Sequence, residues 1–236
     1  MRFGIFTDSH YCPADVYCKT RRPRLSLGKV QQAMEAFVRE GVEAVLCLGD
    51  MTDRCDSDEI ARGCLNELLD LIRSYGLPFY LVPGNHDYKS FSRADWARLE
   101  GVRTAPCTVD TDRARLILLD GCYRSDMRCY DEAGEEWTDA NLPPEQMAFL
   151  RRSLRESGKS CTVIIHQQLD PDFPVKPCMI RNSGEVRLIL RESGKVSLVL
   201  QGHHHEGFDQ TRDGIRYLTL PAMCEGEENR YFIMDL

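Results

Sequence analysis

The sequence predicts an α/β fold built on a parallel sheet with crossover helices, and three observations carry that prediction. Short apolar runs alternate with longer segments whose apolar residues recur every three or four positions. The stretch up to Asp87 reads strand, helix, strand, helix, strand. Each of those strands runs into a cluster of polar residues. A helix between two strands acts as a crossover and makes its strands parallel. In such sheets functional groups gather at the carboxyl ends of the strands.

The elements follow in order. Arg2–Thr7 is short, apolar and β-rich, and it ends in Asp8-Ser9-His10. Residues 11–25 carry Pro, Cys and Arg without a period and read as loop. Ser26 is placed to cap a helix whose inner face is Leu27, Val30, Met34, Phe37 and Val38, with Gly41 as its stop. Ala44–Leu48 is a buried strand leading to Gly49-Asp50. Ser57 caps the next helix, with Asp58 and Glu59 in the first turn, where the helix dipole favours anions. Its stripe is Ile60, Cys64, Leu65, Leu68, Leu69 and Ile72, and Gly76 ends it. Pro78–Val82 is the third strand and runs into Pro83-Gly84-Asn85-His86-Asp87.

The second half is less regular. Val109 and Arg115–Asp120 suggest paired strands, followed by an acidic, aromatic-bearing segment around Tyr123–Ala140. Pro143 and Pro144 open a helix through Met147, Leu150 and Leu154 that ends at Gly158. Thr162–Ile165 is a strand entering His166, and residues 167–181, with three prolines, read as loop. Ser183–Glu192 is a helix, and Val196–Gln201 is a strand entering Gly202-His203-His204-His205. Phe208–Thr211 and Ile215–Leu220 form a hairpin, and Tyr231–Met234 is a last strand.

A chain of 236 residues buries a sizeable core, and with no repeat, low-complexity stretch or linker it reads as one domain, 1–236. Its 42% apolar and 28% charged residues are ordinary for a soluble globular protein. The 30 Lys and Arg against 37 Asp and Glu give −7, which disfavours generic nucleic-acid binding. A local basic cluster remains at Lys19, Arg21, Arg22 and Arg24. Eleven cysteines are an odd number with no CxxC pair, and Arg2 to Phe6 enters a strand with no secretory pattern. Reduced thiols in a cytoplasmic protein are the expectation. Apolar runs such as Val196–Leu200 are too short to span a bilayer, so no membrane partner is expected. Neither G-x-x-x-x-G-K-[ST] nor G-x-S-x-G occurs.

Chemistry concentrates in five segments: Asp8-Ser9-His10, Gly49-Asp50-Met51-Thr52-Asp53, Gly84-Asn85-His86-Asp87, His166 and Gly202-His203-His204-His205. All six histidines lie in them. Strand alternation would aim Asp8 with His10, and His203 with His205, leaving His204 elsewhere. Carboxylate, amide and imidazole donors together suit Mn, Fe, Zn or Co. A carboxylate shared by two such cations holds them about 3.5–4 Å apart, where bridging water becomes a hydroxide nucleophile.

In that order the blocks D-x-H, G-D-x-x-D, G-N-H-D, a lone H and G-H-x-H resemble the calcineurin-like metallophosphoesterases. The resemblance implies a four-layer sandwich, two mixed β-sheets flanked by helices. It implies two divalent or trivalent transition-metal ions and hydrolysis of a phosphate ester or anhydride by a metal-bridging hydroxide. By position, Asp8, His10 and His205 resemble ligands of one metal, and Asn85, His166 and His203 those of the other. Asp50 resembles the bridge, His86 the donor of a proton to the leaving oxygen, and Asp53 its partner acid. The family's lone histidine often continues as H-x-P; here it continues as His166-Gln167-Gln168, which leaves one pocket wall undetermined. Gly214–Leu236 and Leu142–Leu150 resemble phosphodiesterase and nucleotide-diphosphatase relatives, so a small phosphorylated substrate, a phosphodiester or nucleotide pyrophosphate, is expected.

Plainer readings stand beside these. Asp8, His10, Asp50 and Asp53 also suit turns or helix caps, and His166 alone suits a hydrogen-bonded core histidine. Asp87 reads as structural or as a support behind the site's donors, His204 as structural or exposed, and Met34, Phe37 and Cys64 as core. The Arg21–Arg24 cluster and the Tyr123–Trp137 segment are candidate substrate contacts, or solvated loops. A nuclease would want a basic groove, and a non-catalytic binding module would have lost ligands or His86. The sequence carries no signal for oligomeric state.

Overall fold

Strands form where β-branched and aromatic residues are buried on both faces, which is the pattern of a sheet covered on either side. The computed structural model describes residues 1–16, 18–134 and 136–236. Tyr17, within the expected loop 11–25, and Glu135, within Tyr123–Trp137, lie outside the described residues. Strands β1 (Arg2–Phe6), β2 (Ala44–Cys47), β3 (Phe79–Leu81) and β4 (Val102–Thr104) are parallel neighbours. The last strand, β11 (Phe232–Asp235), adds antiparallel to β1. The second sheet runs β5 (Cys107–Asp110), β6 (Ala114–Leu118), β7 (Ser160–Ile164), β8 (Val196–Gln201), β10 (Ile215–Thr219), β9 (Phe208–Arg212). Its inner four are parallel, and its two edge strands pair antiparallel.

Alternation along the strands builds the layers. Phe6, Val45, Cys47 and Leu81 face α1 (Ser26–Arg39) and α2 (Asp58–Ser74), meeting Met34, Phe37, Leu65 and Leu69. Phe3, Ile5, Leu46 and Leu48 point the other way and meet Leu116, Leu118, Ile164 and Leu200 of the second sheet. On that sheet's far face Val163, Val199 and Tyr217 pack against α5 (Pro144–Glu156) and α6 (Ser183–Ser193) through Leu150, Leu154, Val186 and Leu190. Two mixed sheets flanked by helices make the four-layer sandwich that the motifs implied.

Most elements lie within a residue or two of their expected bounds. Ser57 caps α2 as expected, its hydroxyl accepting from Ile60 N at 3.2 Å. Ser26 differs: it is the first helical residue, and its buried hydroxyl donates to the Ser9 carbonyl, tying α1 to the Asp8–His10 turn. Val38 and Ile60 are also exposed, because each flanks the apolar arc; Ala61 takes the inner place. The short α3 (Arg93–Ala97), α4 (Tyr130–Ala133) and β4 were not anticipated.

Candidate metal centre

Parallel strands that stop in step create the site. β1, β2 and β3 end at Phe6, Cys47 and Leu81, while β7 and β8 end at Ile164 and Gln201. Backbone pairing continues past the strands: Asp8 N bonds Gly49 O and His10 N bonds Asp50 O, both at 2.9 Å. Asp8, His10, Asp50 and His203 adopt left-handed backbone, with φ of 52, 46, 54 and 68°. Their convergence therefore does not come from strand alternation, because the strands end first. Such φ values are costly for non-glycine residues and cluster where a site holds them in place.

Close packing at the turns needs glycine. Gly49 has φ +108°, and a Cβ there would stand 2.6 Å from His166 Nδ1. Asp87 confirms the structural reading: buried, it accepts from Asp50 N at 2.8 Å, Met51 N at 2.9 Å and Gly84 N at 2.8 Å. It locks the turn that carries Asn85 and His86 to the turn that carries Asp50.

Asp8, Asp50, His166 and His205 are each tied on one side, which leaves the other turned to the centre. Asp8 Oδ2 accepts from Thr7 Oγ1 at 2.5 Å and His203 N at 3.0 Å. Its Oδ1 faces His205 Nε2 at 3.4 Å and His10 Nε2 at 3.6 Å. Asp50 Oδ1 accepts from His86 N at 2.8 Å, while Oδ2 lies 3.5 Å from His10 Nε2 and 3.4 Å from His166 Nε2. His166 Nδ1 donates to Leu48 O at 2.7 Å; a carbonyl only accepts, so in the neutral ring Nε2 is the lone-pair nitrogen. His205 Nδ1 lies 2.6 Å from Glu225 Oε1, which fixes that ring the same way. His203 Nε2 is buried without a hydrogen-bond partner, as are Asp8 Oδ1 and His166 Nε2. Asn85 is buried in the turn between Gly84 and His86.

Electrostatics suits cations. Burial alone would raise Asp8 and Asp50, yet the facing imidazoles outweigh it and hold both carboxyls well below the usual range. Burial, with the charge of a neighbouring histidine, pushes His10 down to about 4 and His203 to about 3. Against burial, Asp50 raises His166 to about 9, and hydrogen bonds led by Asp8 raise His205 to about 12. The negative charge that raises those two rings is the charge a cation would meet. Asp50, His166 and His203 present donor atoms within 4.8 Å of one another, and so do His10, Asp50 and His86. Buried lone-pair atoms without partners, in a nitrogen and oxygen set, fit transition-metal ions.

Beside these groups His86 Nδ1 stands 3.0 Å from Asp53 Oδ1, and its ring meets His10 edge-on at 4.5 Å between centroids. Asp53 Oδ2 also accepts from Arg21 Nη1 at 3.0 Å and lies 3.4 Å from His10 Nδ1. Burial would raise Asp53, but His86 and His10 hold it well below the carboxylate range. All nine expected site residues thus occupy one edge where the two sheets meet.

The remaining expectations divide. Of the basic cluster, Arg21 reaches the centre, while Arg24 pairs with Asp15 at 2.8 Å and Arg22 bonds loop carbonyls. In Tyr123–Trp137 the ring of Trp137 lies 6.2 Å from that of His203, and Tyr123 is buried. His204 packs edge-on against Phe173, away from the donors. Gln168, standing where H-x-P has proline, donates to Gly202 O at 2.5 Å and braces the turn before His203. Glu225 went unrecognised in the sequence, where it opens an acidic run.

Over residues 1–207 the sequence matches the family profile of the calcineurin-like phosphoesterases. The chain belongs to that family. This calcineurin-like phosphoesterase is a metal-dependent hydrolase of phosphate esters or anhydrides whose reaction uses two metal ions. It is similar to the manganese-dependent ADP-ribose/CDP-alcohol diphosphatase of Xenopus tropicalis, 24% identical over 94% of this chain and 84% of the relative. It is also similar to the 3',5'-cyclic adenosine monophosphate phosphodiesterase of Haemophilus influenzae, 22% identical over 89% and 70%. In fold it is similar to a dimetal phosphatase of Danio rerio, with TM-score 0.83 and 19% identity over 98% and 91% of the two chains. Among the described residues no helix is long and apolar enough to cross a membrane.

Proposed function

We propose that this phosphoesterase hydrolyses a small nucleotide-containing substrate, a pyrophosphate or a phosphodiester, at a two-metal centre. In this reading Asp8, His10 and His205 would hold one ion, Asn85, His166 and His203 would hold the other, and Asp50 would serve both. The carrying observation is Asp50 Oδ2, 3.5 and 3.4 Å from imidazole nitrogens of His10 and His166, which belong to different sheets. When bound, the two ions supply an acidified water as nucleophile and offset charge on the phosphoryl oxygens. The chain's own residues do the rest. With Asp53 Oδ1 3.0 Å from Nδ1 to orient the ring, His86 acts as proton donor in its doubly protonated form, in which the opposite nitrogen carries the proton given to the departing oxygen. Asp87 holds the His86 and Asp50 turns in register, keeping proton donor and ligands at fixed separation.

Manganese is the ion to try first, since it is named for the Xenopus relative. The exposed indole of Trp137 beside His203 offers a face for a nucleobase. A single domain over 1–236 is supported by the apolar layer that both sheets share. Eleven free thiols support a reducing, cytoplasmic setting.

The test is metal content and turnover of bis-p-nitrophenyl phosphate and methyl phenyl phosphate by purified variants. Asp50→Ala should lose both activity and tight metal binding. His86→Ala should keep most of its metal and slow hydrolysis of methyl phenyl phosphate, whose leaving oxygen needs the proton, by about 10²–10⁴-fold, and bis-p-nitrophenyl phosphate far less. A His86→Ala variant fully active on methyl phenyl phosphate removes this residue from the role of proton donor.

A further inference from the structure

Residues 222–226 lie beyond the stretch that matches the family, yet they run directly beneath the centre. Ala222 N bonds His205 O at 3.0 Å, Met223 N bonds Thr7 O at 3.0 Å, and Cys224 N bonds Asp8 O at 3.1 Å. The chain then pairs with the loop before α1: Arg21 and Glu225 form an antiparallel bridge. It is flanked by Arg22 N to Cys224 O at 2.8 Å and Gly226 N to Thr20 O at 3.1 Å. Lys29 of α1 clamps the same turn, its ammonium donating to the carbonyls of Met223 and Gly226 at 2.8 Å each.

From this one bridge two charged side chains reach opposite sides of the centre. Arg21 Nη1 donates to Asp53 Oδ2 at 3.0 Å, and Asp53 Oδ1 lies 3.0 Å from His86 Nδ1. Glu225 Oε1 lies 2.6 Å from His205 Nδ1. We propose that Arg21 and Glu225, carried on one backbone bridge, are two positioning residues: Arg21 sets His86 through Asp53, and Glu225 sets His205 as a metal ligand. The proposal rests on the roles given to His86 and His205 above.

The physics differs on the two sides. With Arg21 occupying Oδ2, Asp53 presents Oδ1 to His86 in one orientation, and the guanidinium offsets the cost of a buried carboxylate. Without it Oδ2 keeps only the 3.4 Å approach to His10 Nδ1 while Oδ1 still accepts from Arg54 N at 2.7 Å, so the carboxylate plane is held less firmly and the angle of the His86 ring is set less well. On the other side, a carboxylate on Nδ1 pins the imidazole and strengthens Nε2 as a donor to a cation. Neither residue needs to touch the substrate.

The experiment compares Arg21→Ala, Arg21→Lys, Glu225→Ala and Glu225→Gln in the full chain, with His86→Ala alongside. Two readouts separate the roles. One is kcat on methyl phenyl phosphate and methyl p-nitrophenyl phosphate, whose leaving groups differ in their need for a proton. The other is Mn²⁺ affinity by competition with a chromophoric chelator. Arg21→Ala should slow the phenyl ester by about 10-fold or more and the p-nitrophenyl ester far less. Its Mn²⁺ affinity should be unchanged, and Arg21→Lys should recover part of the loss. Glu225→Ala should weaken Mn²⁺ binding about 10–100-fold, with Glu225→Gln in between.

Equal losses on the two esters, or a shifted Mn²⁺ affinity in Arg21→Ala, overturn the Arg21 half. Unchanged Mn²⁺ affinity in Glu225→Ala overturns the Glu225 half. His86→Ala discriminates the deeper failure. If its loss ignores the leaving group, the proton-donor role falls and the Arg21 half with it; if its loss follows the leaving group while that of Arg21→Ala does not, only Arg21 is wrong. Should an alanine variant fail to fold, the Lys and Gln variants carry the same comparisons.

Discussion

At the scale of single residues, Asp8, His10, Asp50 and His203 meet through left-handed backbone beyond the strand ends. A sequence shows residue type and spacing, and no simple period announces a non-glycine residue at positive φ. Glu225 was hidden more thoroughly. In Glu225-Gly226-Glu227-Glu228 it reads as one more solvated acid, and only the chain's path beneath His205 distinguishes it. Trp137 lies between: flagged within a candidate segment, it is the exposed member beside the centre. Stacking a base on an aromatic face contributes about 1–3 kcal/mol. Trp137→Ala should therefore raise KM for a nucleotide pyrophosphate by about 5–150-fold on that range, with kcat little changed. A diphosphate lacking a base should show no such rise; an equal rise for both removes the stacking role.

At the scale of elements the long amphipathic helices and fully buried strands were readable because their periods repeat over several turns or residues. What escaped was short. β4 spans three residues and α3 five, too few for a period to stand out, and α3 depends on a Ser92–Asp95 capping box within a loop-like stretch. The edges of the helix stripes also misled, since Val38 and Ile60 sit where apolar residue type and burial part company. Helix–sheet contact is closest at Gly4 in β1, where an added Cβ would stand 2.5 Å from the Phe37 ring of α1. Gly4→Ala should thus force α1 outward and destabilise by about 1–3 kcal/mol, the usual cost of overpacking. Urea unfolding should show it as a lower midpoint, while metal stoichiometry stays at the wild-type value. A midpoint that does not move would mean α1 yields without cost.

At the scale of the whole molecule the parallel topology was legible for the first sheet from strand–helix alternation, and the second sheet came from the family resemblance. The centre belongs to neither sheet alone. Asp8, His10, Asp50 and Asn85 follow strands of one, His166, His203 and His205 follow strands of the other. Hydrogen bonds cross between them, among them His166 Nδ1 to Leu48 O and His203 N to Asp8 Oδ2. Ions bound by both sheets favour the folded state alone, so binding should raise stability by mass action. At a free ion concentration a hundredfold above Kd the gain is about 2.7 kcal/mol per site. Chelator-treated protein should melt at a lower temperature than protein supplied with Mn²⁺, and returning the ion should restore the higher value. Melting that ignores both treatments would speak against ions held between the sheets.

The hydrocarbon layer of Phe3, Ile5, Leu46 and Leu48 against Leu116, Leu118, Ile164 and Leu200 then acquires a second meaning. Its thickness is the spacer that keeps the two rows of donors at their separation, much as a shim sets the gap of a jaw. Side-chain volume in this hydrocarbon layer thereby becomes a dial for the chemistry at the rim.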